Sequence, residues 1–206
     1  MEPQLVPQVL IGASGFGREV LWACQRAGLP VAGFCDDAAD KQTGTFADIP
    51  LLGKIEQAVA RFGAGTLFHV AVGDNRMRQR LVDRALAVGW QPFAVIDPLA
   101  IVAPDAVIEA GAYVGIGSVV SCQARVARYA LVNHHVTVGH EAEVGVFAQL
   151  CPGVRVSGRC IIGEGALLGS NAAIIPGKRM GAWSVLGIGA VALADVADGA
   201  HLVRVR

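Results

Sequence analysis

From Ile101 to Val196 the chain runs in blocks of six without an insertion, from IVAPDA, VIEAGA and YVGIGS through LVNHHV and TVGHEA to VALADV. The second place of these blocks holds Val102, Ile108, Val114, Val120, Val126, Val132, Val138, Val144, Leu150, Val156, Ile162, Leu168, Ile174, Met180, Leu186 and Ala192. The sixth place is mostly Ala, Ser, Val or Cys, and the third is often Gly (115, 139, 145, 163, 169, 181, 187). A period of six fits neither a 3.6-residue helix nor a simple alternating strand. It fits a β-helix in which each block is one short strand and one corner. The aliphatic residue points inward, the small residue fills the tapering interior, and Gly or Pro serves the corner. Pro104, Pro152 and Pro176 all occupy the fourth place, where a turn needs a fixed φ and no ladder donor.

The composition agrees with that reading. The chain has 206 residues, 53% hydrophobic but only 6% aromatic, with 26 Gly. A narrow prism needs small and branched aliphatics rather than large rings. Lys and Arg (17) balance Asp and Glu (17), and no basic stripe tracks a phosphate backbone, so no nucleic-acid partner is expected. No apolar run approaches the ~18 residues of a membrane span, and the N-terminus does not read as a secretory leader. Cys24, Cys35, Cys122, Cys151 and Cys160 form no C-x-x-C pair and read as reduced, half-buried residues of a cytoplasmic protein.

The first hundred residues follow another pattern. A strand at 9–11 leads into Gly12-Ala13-Ser14-Gly15-Phe16-Gly17, followed by a helix from Arg18 to Ala27 and a strand from Val31 to Cys35 ending in Asp36-Asp37. A helix over 55–62, a strand over 66–72, Gly73-Asp74-Asn75, a helix over 76–88 and a strand over 93–96 complete the unit. Alternating strand and helix predict a small parallel α/β domain over residues 1–97, before a β-helix over 98–206. The glycine loop can hold an anion on backbone N–H groups at a helix start. The acidic pair can accept bonds from a ribose or base. The same features also serve a plain βα turn and a solvated strand end. Trp22 fits the core face of its helix, Trp90 a domain junction, and Trp183 a prism face or subunit contact.

The repeat sorts the histidines. His140 and His134 hold the fourth place of successive blocks, so they lie on different edges of the prism and share no site within one chain. Gly158 lies 18 residues beyond His140, one coil along, where it leaves room for a thin ligand and exposes an N–H. An imidazole base, a carboxylate such as Glu141 to fix its tautomer and a backbone N–H for an oxyanion are the parts that acyl transfer needs.

The glycine-loop domain, the uninterrupted prism and Asn133 followed seven residues later by His140-Glu141 together resemble the NeuD/PglD-type sugar acetyltransferases, within the hexapeptide-repeat acyltransferases. The resemblance implies a Rossmann-like nucleotide-sugar domain, then a left-handed parallel β-helix that binds acetyl-CoA and carries the catalysis. It also implies a homotrimer with acetyl-CoA between two prisms and no metal. Position by position it makes His140 the base, Glu141 its partner and Asn133 an active-site residue. It gives acetyl-CoA to Gln149, Gly158, Ser170 and Ile188, and the nucleotide sugar to Ser14, Gly15, Phe16, Asp36, Asp37 and Gly73. Phe16 and Gln149 stand where the family often has His, and the C-terminal tail departs from the usual pattern.

The expected activity is N-acetylation of the amino group of a nucleotide-linked amino-sugar, with O-acetylation of the sialic acid type as the alternative. Two other classes compete. A γ-class carbonic anhydrase would use His135 and His140, but no third His occurs where its zinc would need one. A non-catalytic trimeric scaffold or sugar-nucleotide sensor would keep the fold without turnover.

Overall fold

The computed structural model describes residues 8–203, which divide into two compact units between Val95 and Ile96. In the first, β1 (Gln8–Ile11), β2 (Val31–Cys35), β5 (Leu67–Val70) and β6 (Gln91–Pro92) form one parallel sheet in the order β2-β1-β5-β6. The helices α1 (Gly15–Arg26), α2 (Ile55–Phe62) and α3 (Asn75–Ala87) connect them, as the alternation predicts.

The differences are local. Helix α1 begins at Gly15 rather than Arg18, because Ser14 is its N-cap and its hydroxyl accepts from the Gly17 N–H at 3.4 Å. Asp74 caps α3 in the same way, accepting from the Met77 N–H at 2.7 Å. Of the strand expected over 93–96 only Val95–Ile96 forms, and it begins the next sheet; the strand that pairs with β5 is β6, two residues earlier. A small hairpin, β3 (Thr45–Phe46) with β4 (Ile49–Pro50), has no counterpart in the expectations; Ala47 and Asp48 turn it at positive φ. Trp22 is 46% exposed beside Arg26 and is not a core residue. Trp90 belongs to the core of the first unit, where its indole N–H donates to the Gly63 carbonyl.

The second unit is a parallel β-helix of about six turns. Face 1 carries strand pairs from Val95–Ile96 to His201–Leu202, face 2 those from Ile101–Val102 to Val191–Ala192, and face 3 those from Val107–Ile108 to Arg179–Met180. The register advances by 18 residues per coil, as in Val120↔Val138↔Val156. The core is the expected ladder: second-place Val, Ile and Leu with sixth-place Ala, nearly all fully buried.

The glycines act differently from expectation. In every block but the first and the last the corner is turned by the fifth residue, which takes positive φ whether it is Gly (117, 153, 165) or not (His135, Glu141, Phe147, Arg159). The third-place glycines do not have positive φ. They are bare because the next coil's backbone lies against them: a Cβ on Gly139 would sit 2.7 Å from the Ser157 carbonyl carbon, and one on Gly163 the same distance from that of Gly181.

Candidate active site

Regular corners of the prism share a hydrogen-bond plan. The sixth-place N–H donates to the third-place carbonyl, as from Ala142 to Gly139 at 3.2 Å. The fourth-place N–H takes no part in the backbone ladder, which explains why Pro104, Pro152 and Pro176 are tolerated there. Gly158, Ser170 and Ile188 all hold that place. Their N–H groups meet no acceptor among the described residues and so can donate to a ligand.

His140 projects from the edge between faces 2 and 3, its side chain 58% exposed. Its ring lies over Gly158 one coil along, and a Cβ on Gly158 would stand 2.7 Å from His140 Cε1. The room at Gly158 is therefore taken by the imidazole, which corrects the expectation of space for a thin ligand. Glu141, at φ 58°, brings its Oε2 to 3.9 Å from His140 Nδ1. That is ion-pair range rather than a hydrogen bond. Unbound sites are often this loose and tighten around substrate.

Asn133 is on the preceding edge, between faces 1 and 2, together with Ser170 and Ile188. Within one chain the three catalytic candidates are therefore not brought together: His140, Glu141 and Gly158 border face 2 on one side, and Asn133, Ser170 and Ile188 border it on the other. Gln149 points out from face 1. Its Nε2 lies 3.8 Å from Cys151 Sγ and its buried Oε1 has no partner among the described residues. Burial pushes the Cys151 thiol up. His135 leans over Gly117 on the Asn133 edge, so it and His140 are not neighbours. Among the described residues no three His, Cys, Asp or Glu side chains gather as a metal site requires.

In the first unit a cavity of about 210 Å³ opens at the C-terminal ends of β1, β2 and β5. It is lined by Ile11, Gly12, Cys35, Asp36, Asp37, Ile55, Val72, Met77 and Leu81. This is where open parallel sheets bind ligands. The glycine loop divides into structural and free positions. Gly12 has φ 110° and faces Val72, and Gly17 packs against the Gly12 carbonyl, so neither accepts a side chain. Gly15 has no neighbour within 4 Å of a Cβ, so its bareness serves no packing need. Ser14 and Gly15 are exposed at the helix start and Phe16 is half-buried beside them.

The acidic pair is less free than the sequence suggests. Asp36 accepts from the Ala13 N–H at 2.8 Å and the Ala38 N–H at 3.0 Å, and Lys41 Nζ lies 3.5 Å away. It ties the glycine loop to β2. Asp37 is held by both Nη atoms of Arg84, at 2.6 and 3.1 Å, and Arg84 also grips Glu56 at 2.9 Å. The Arg84 hydrogen bonds keep the Asp37 carboxyl below its usual range. Burial pushes the neighbouring Cys35 thiol up to about 12, which makes it an inert wall residue. Gly73 is fastened from below by the buried Arg78, which donates to the carbonyls of Val72 (3.0 Å) and Gly73 (3.2 Å) and to Asn75 Oδ1 (2.9 Å). Burial pulls the Arg78 guanidinium down to about 9. Sequence reasoning missed Arg78 and Arg84, since a lone Arg on a helix carries no pattern.

The comparisons with known proteins agree with this geometry. The PglD N-terminal domain profile matches residues 9–85. No curated protein matches the chain by sequence. PerB from Caulobacter crescentus, solved with CoA and GDP-perosamine, is 28% identical with a TM-score of 0.89, over 96% of this chain and 94% of that one. The acetyltransferase domain of PglB from Neisseria gonorrhoeae FA1090, solved with acetyl coenzyme A, is 28% identical with a TM-score of 0.88, over 97% and 96%. WeeI from Acinetobacter baumannii AYE, at 21% identity and a TM-score of 0.84 over 94% of each chain, shares the fold. Residues 9–85 thus match the PglD N-terminal domain, and from end to end the chain is similar in fold to acetyl-CoA-dependent sugar acetyltransferases of the NeuD/PglD type.

Proposed function

We propose that the chain transfers the acetyl group of acetyl-CoA to the amino group of a nucleotide-linked amino-sugar, with His140 as general base. The observation that carries this reading is the exposed imidazole of His140 beside Gly158, whose N–H meets no acceptor among the described residues. The neutral amine attacks the thioester carbonyl, and His140 Nε2 takes the proton from the nitrogen as the N–C bond forms. Glu141 faces Nδ1 and orients the ring. A fourth-place N–H such as that of Gly158 donates to the oxyanion of the tetrahedral adduct. As the C–S bond breaks, the imidazolium returns its proton to the departing thiolate.

The coenzyme lies along Gly158, Ser170 and Ile188, with Gln149 as a further contact, on the support of their unused donors. The nucleotide sugar is held in the first unit by Ser14, Gly15, Phe16, Asp36, Asp37 and Gly73, on the support of the cavity and the unforced bareness of Gly15. A homotrimer completes the site, because the candidate residues stand on two edges that flank one face. The five free cysteines fit a cytoplasmic enzyme. Relatives support the substrate class: PerB was solved with CoA and GDP-perosamine, and histidine-substituted forms of the Caulobacter N-acetyltransferase were solved with the same pair.

The test is an acetyl-CoA assay across UDP-, GDP- and CMP-linked sugars bearing free amines, with His140→Ala beside the parent. Turnover with one acceptor and its loss by about 10²–10⁴-fold in the variant, with both ligands still bound, is expected. Undiminished turnover in the variant overturns His140 as base, and acetylation of hydroxyls alone overturns the amine acceptor.

A further inference from the structure

One corner of the prism departs from the plan by means of a side chain. At 133–136 the turn bond from the Val136 N–H to the Asn133 carbonyl is absent, and the Ser118 hydroxyl is inserted in its place. Ser118 Oγ donates to the Asn133 carbonyl at 2.6 Å and accepts from the Val136 N–H at 3.1 Å. Ser118 is fully buried in the prism, at a sixth place where nine of the sixteen blocks carry Ala. Where Ala takes the equivalent place the turn bond is made at most corners, as at 121–124, 139–142 and 163–166, and it is missing at 157–160, so the fold accepts Ala there in either state of the corner.

The opened corner fixes the direction of the Asn133 amide. Asn133 Oδ1 accepts from the His134 N–H at 2.7 Å, and since a backbone N–H cannot accept, Nδ2 is the outward end. Nδ2 meets no acceptor among the described residues. The rest of the corner is braced as well: Tyr113 Oη lies 3.4 Å from His134 Nε2, Gly115 is bare where the His134 ring passes, and Arg155 Nη1 donates to the His135 carbonyl at 2.5 Å. Three other corners, at 157–160, 175–178 and 193–196, lack the turn bond, and the first of them carries Gly158. At the second, Cys160 repeats the Ser118 relation, its thiol reaching the Ile175 carbonyl at 3.2 Å. Sulfur in this place thus makes the donating half of the bridge.

We infer that Ser118 is a positioning residue for acetyl transfer, its hydroxyl holding the 133–136 corner open so that the Asn133 amide presents its donor end to the reacting carbonyl. The inference rests on the acetyltransferase reading above. A donor displaced by a fraction of an ångström loses much of its effect on a developing oxyanion.

The experiment compares Ser118→Ala and Ser118→Cys with the parent for kcat, both KM values, the pH profile and the melting temperature. Ser118→Ala is expected to keep the melting temperature and the pH profile of His140 while kcat falls about 10- to 100-fold, with Ser118→Cys recovering part of the loss. Unchanged kcat in Ser118→Ala overturns the inference. So does a loss of kcat that only follows a loss of folded protein. A parent that acetylates no acceptor sinks the acetyltransferase reading instead. Ser118 is then judged by acetyl-CoA affinity in calorimetry, where a severalfold weakening in Ser118→Ala supports its role and an unchanged affinity overturns it.

Discussion

The chemistry of this chain depends on where single side chains meet bare backbone. His140 rests over Gly158, so the two positions act as a pair. Gly158→Ala drives a methyl into the imidazole. It is expected to lower kcat by about 10²-fold with little change in stability, because the position is half-buried and its φ is ordinary. A melting curve beside steady-state kinetics checks this. Glu141 Oε2 stands 3.9 Å from His140 Nδ1. Glu141→Gln keeps the shape and removes the anion, and is expected to lower kcat by about 10-fold with the melting temperature kept. Unchanged kcat would show that Glu141 does not reach His140 during turnover. In the first unit, Gly15→Ala is sterically allowed, so any weakening of nucleotide-sugar binding measures ligand approach rather than folding.

At the scale of elements, the two units answer to different forces. In the α/β unit β5 carries His69, fully buried, with Nδ1 3.2 Å from the Phe93 carbonyl. Burial holds its pKa down to about 4, against an ordinary 6.5. The unfolded chain takes up this proton first as the pH falls. The stability it confers is therefore complete above pH 6.5 and is lost between 6.5 and about 4, by at most about 1.4 kcal/mol per pH unit. Urea midpoints at pH 7.5 and 5 are expected to fall further apart for the parent than for His69→Gln. The prism rests on its inner ladder, and Leu168→Ala, at a fully buried second place, is expected to cost about 2–5 kcal/mol. Most of these elements were legible in the sequence. The six-residue phase fixes every strand pair of the prism from Ile101 to Ala192, and α2 lies where its apolar spacing puts it. Helix starts were less legible because capping by Ser14 overrides the low helix propensity of Gly15 and Gly17. The 45–50 hairpin was missed because its strands are two residues long, too short for any periodicity.

At the scale of the whole molecule, what the sequence told about the site depended on how far each relation reached. Spacing by 18 put His140 over Gly158 and spacing by six put His134 on another edge, since a solenoid turns sequence distance into position. The Arg84 clamp on Asp37 and Glu56 was hidden, since it joins residues whose separation follows no repeat; the Ser118 bridge was hidden although Val136 stands one coil along, because the repeat marks the sixth place as core and says nothing of what a hydroxyl there would bond. The third-place glycines were seen but given the wrong cause: crowding between coils, not turning, excludes their side chains. One consequence lies in the unused fourth-place N–H groups. Coils repeat at about 4.8 Å, so each edge is graduated like a ruler, with one fourth-place N–H to a mark, save where a side chain takes it, as at Arg128, His134 and Ala182. Proline erases marks. On the His140 edge the graduations at 122, 140 and 158 end at Pro104 and Pro176. On the neighbouring edge those at 170 and 188 lie beyond Pro152. The reach of an elongated, amide-bearing ligand along this protein is thus written in the places where the chain has chosen proline.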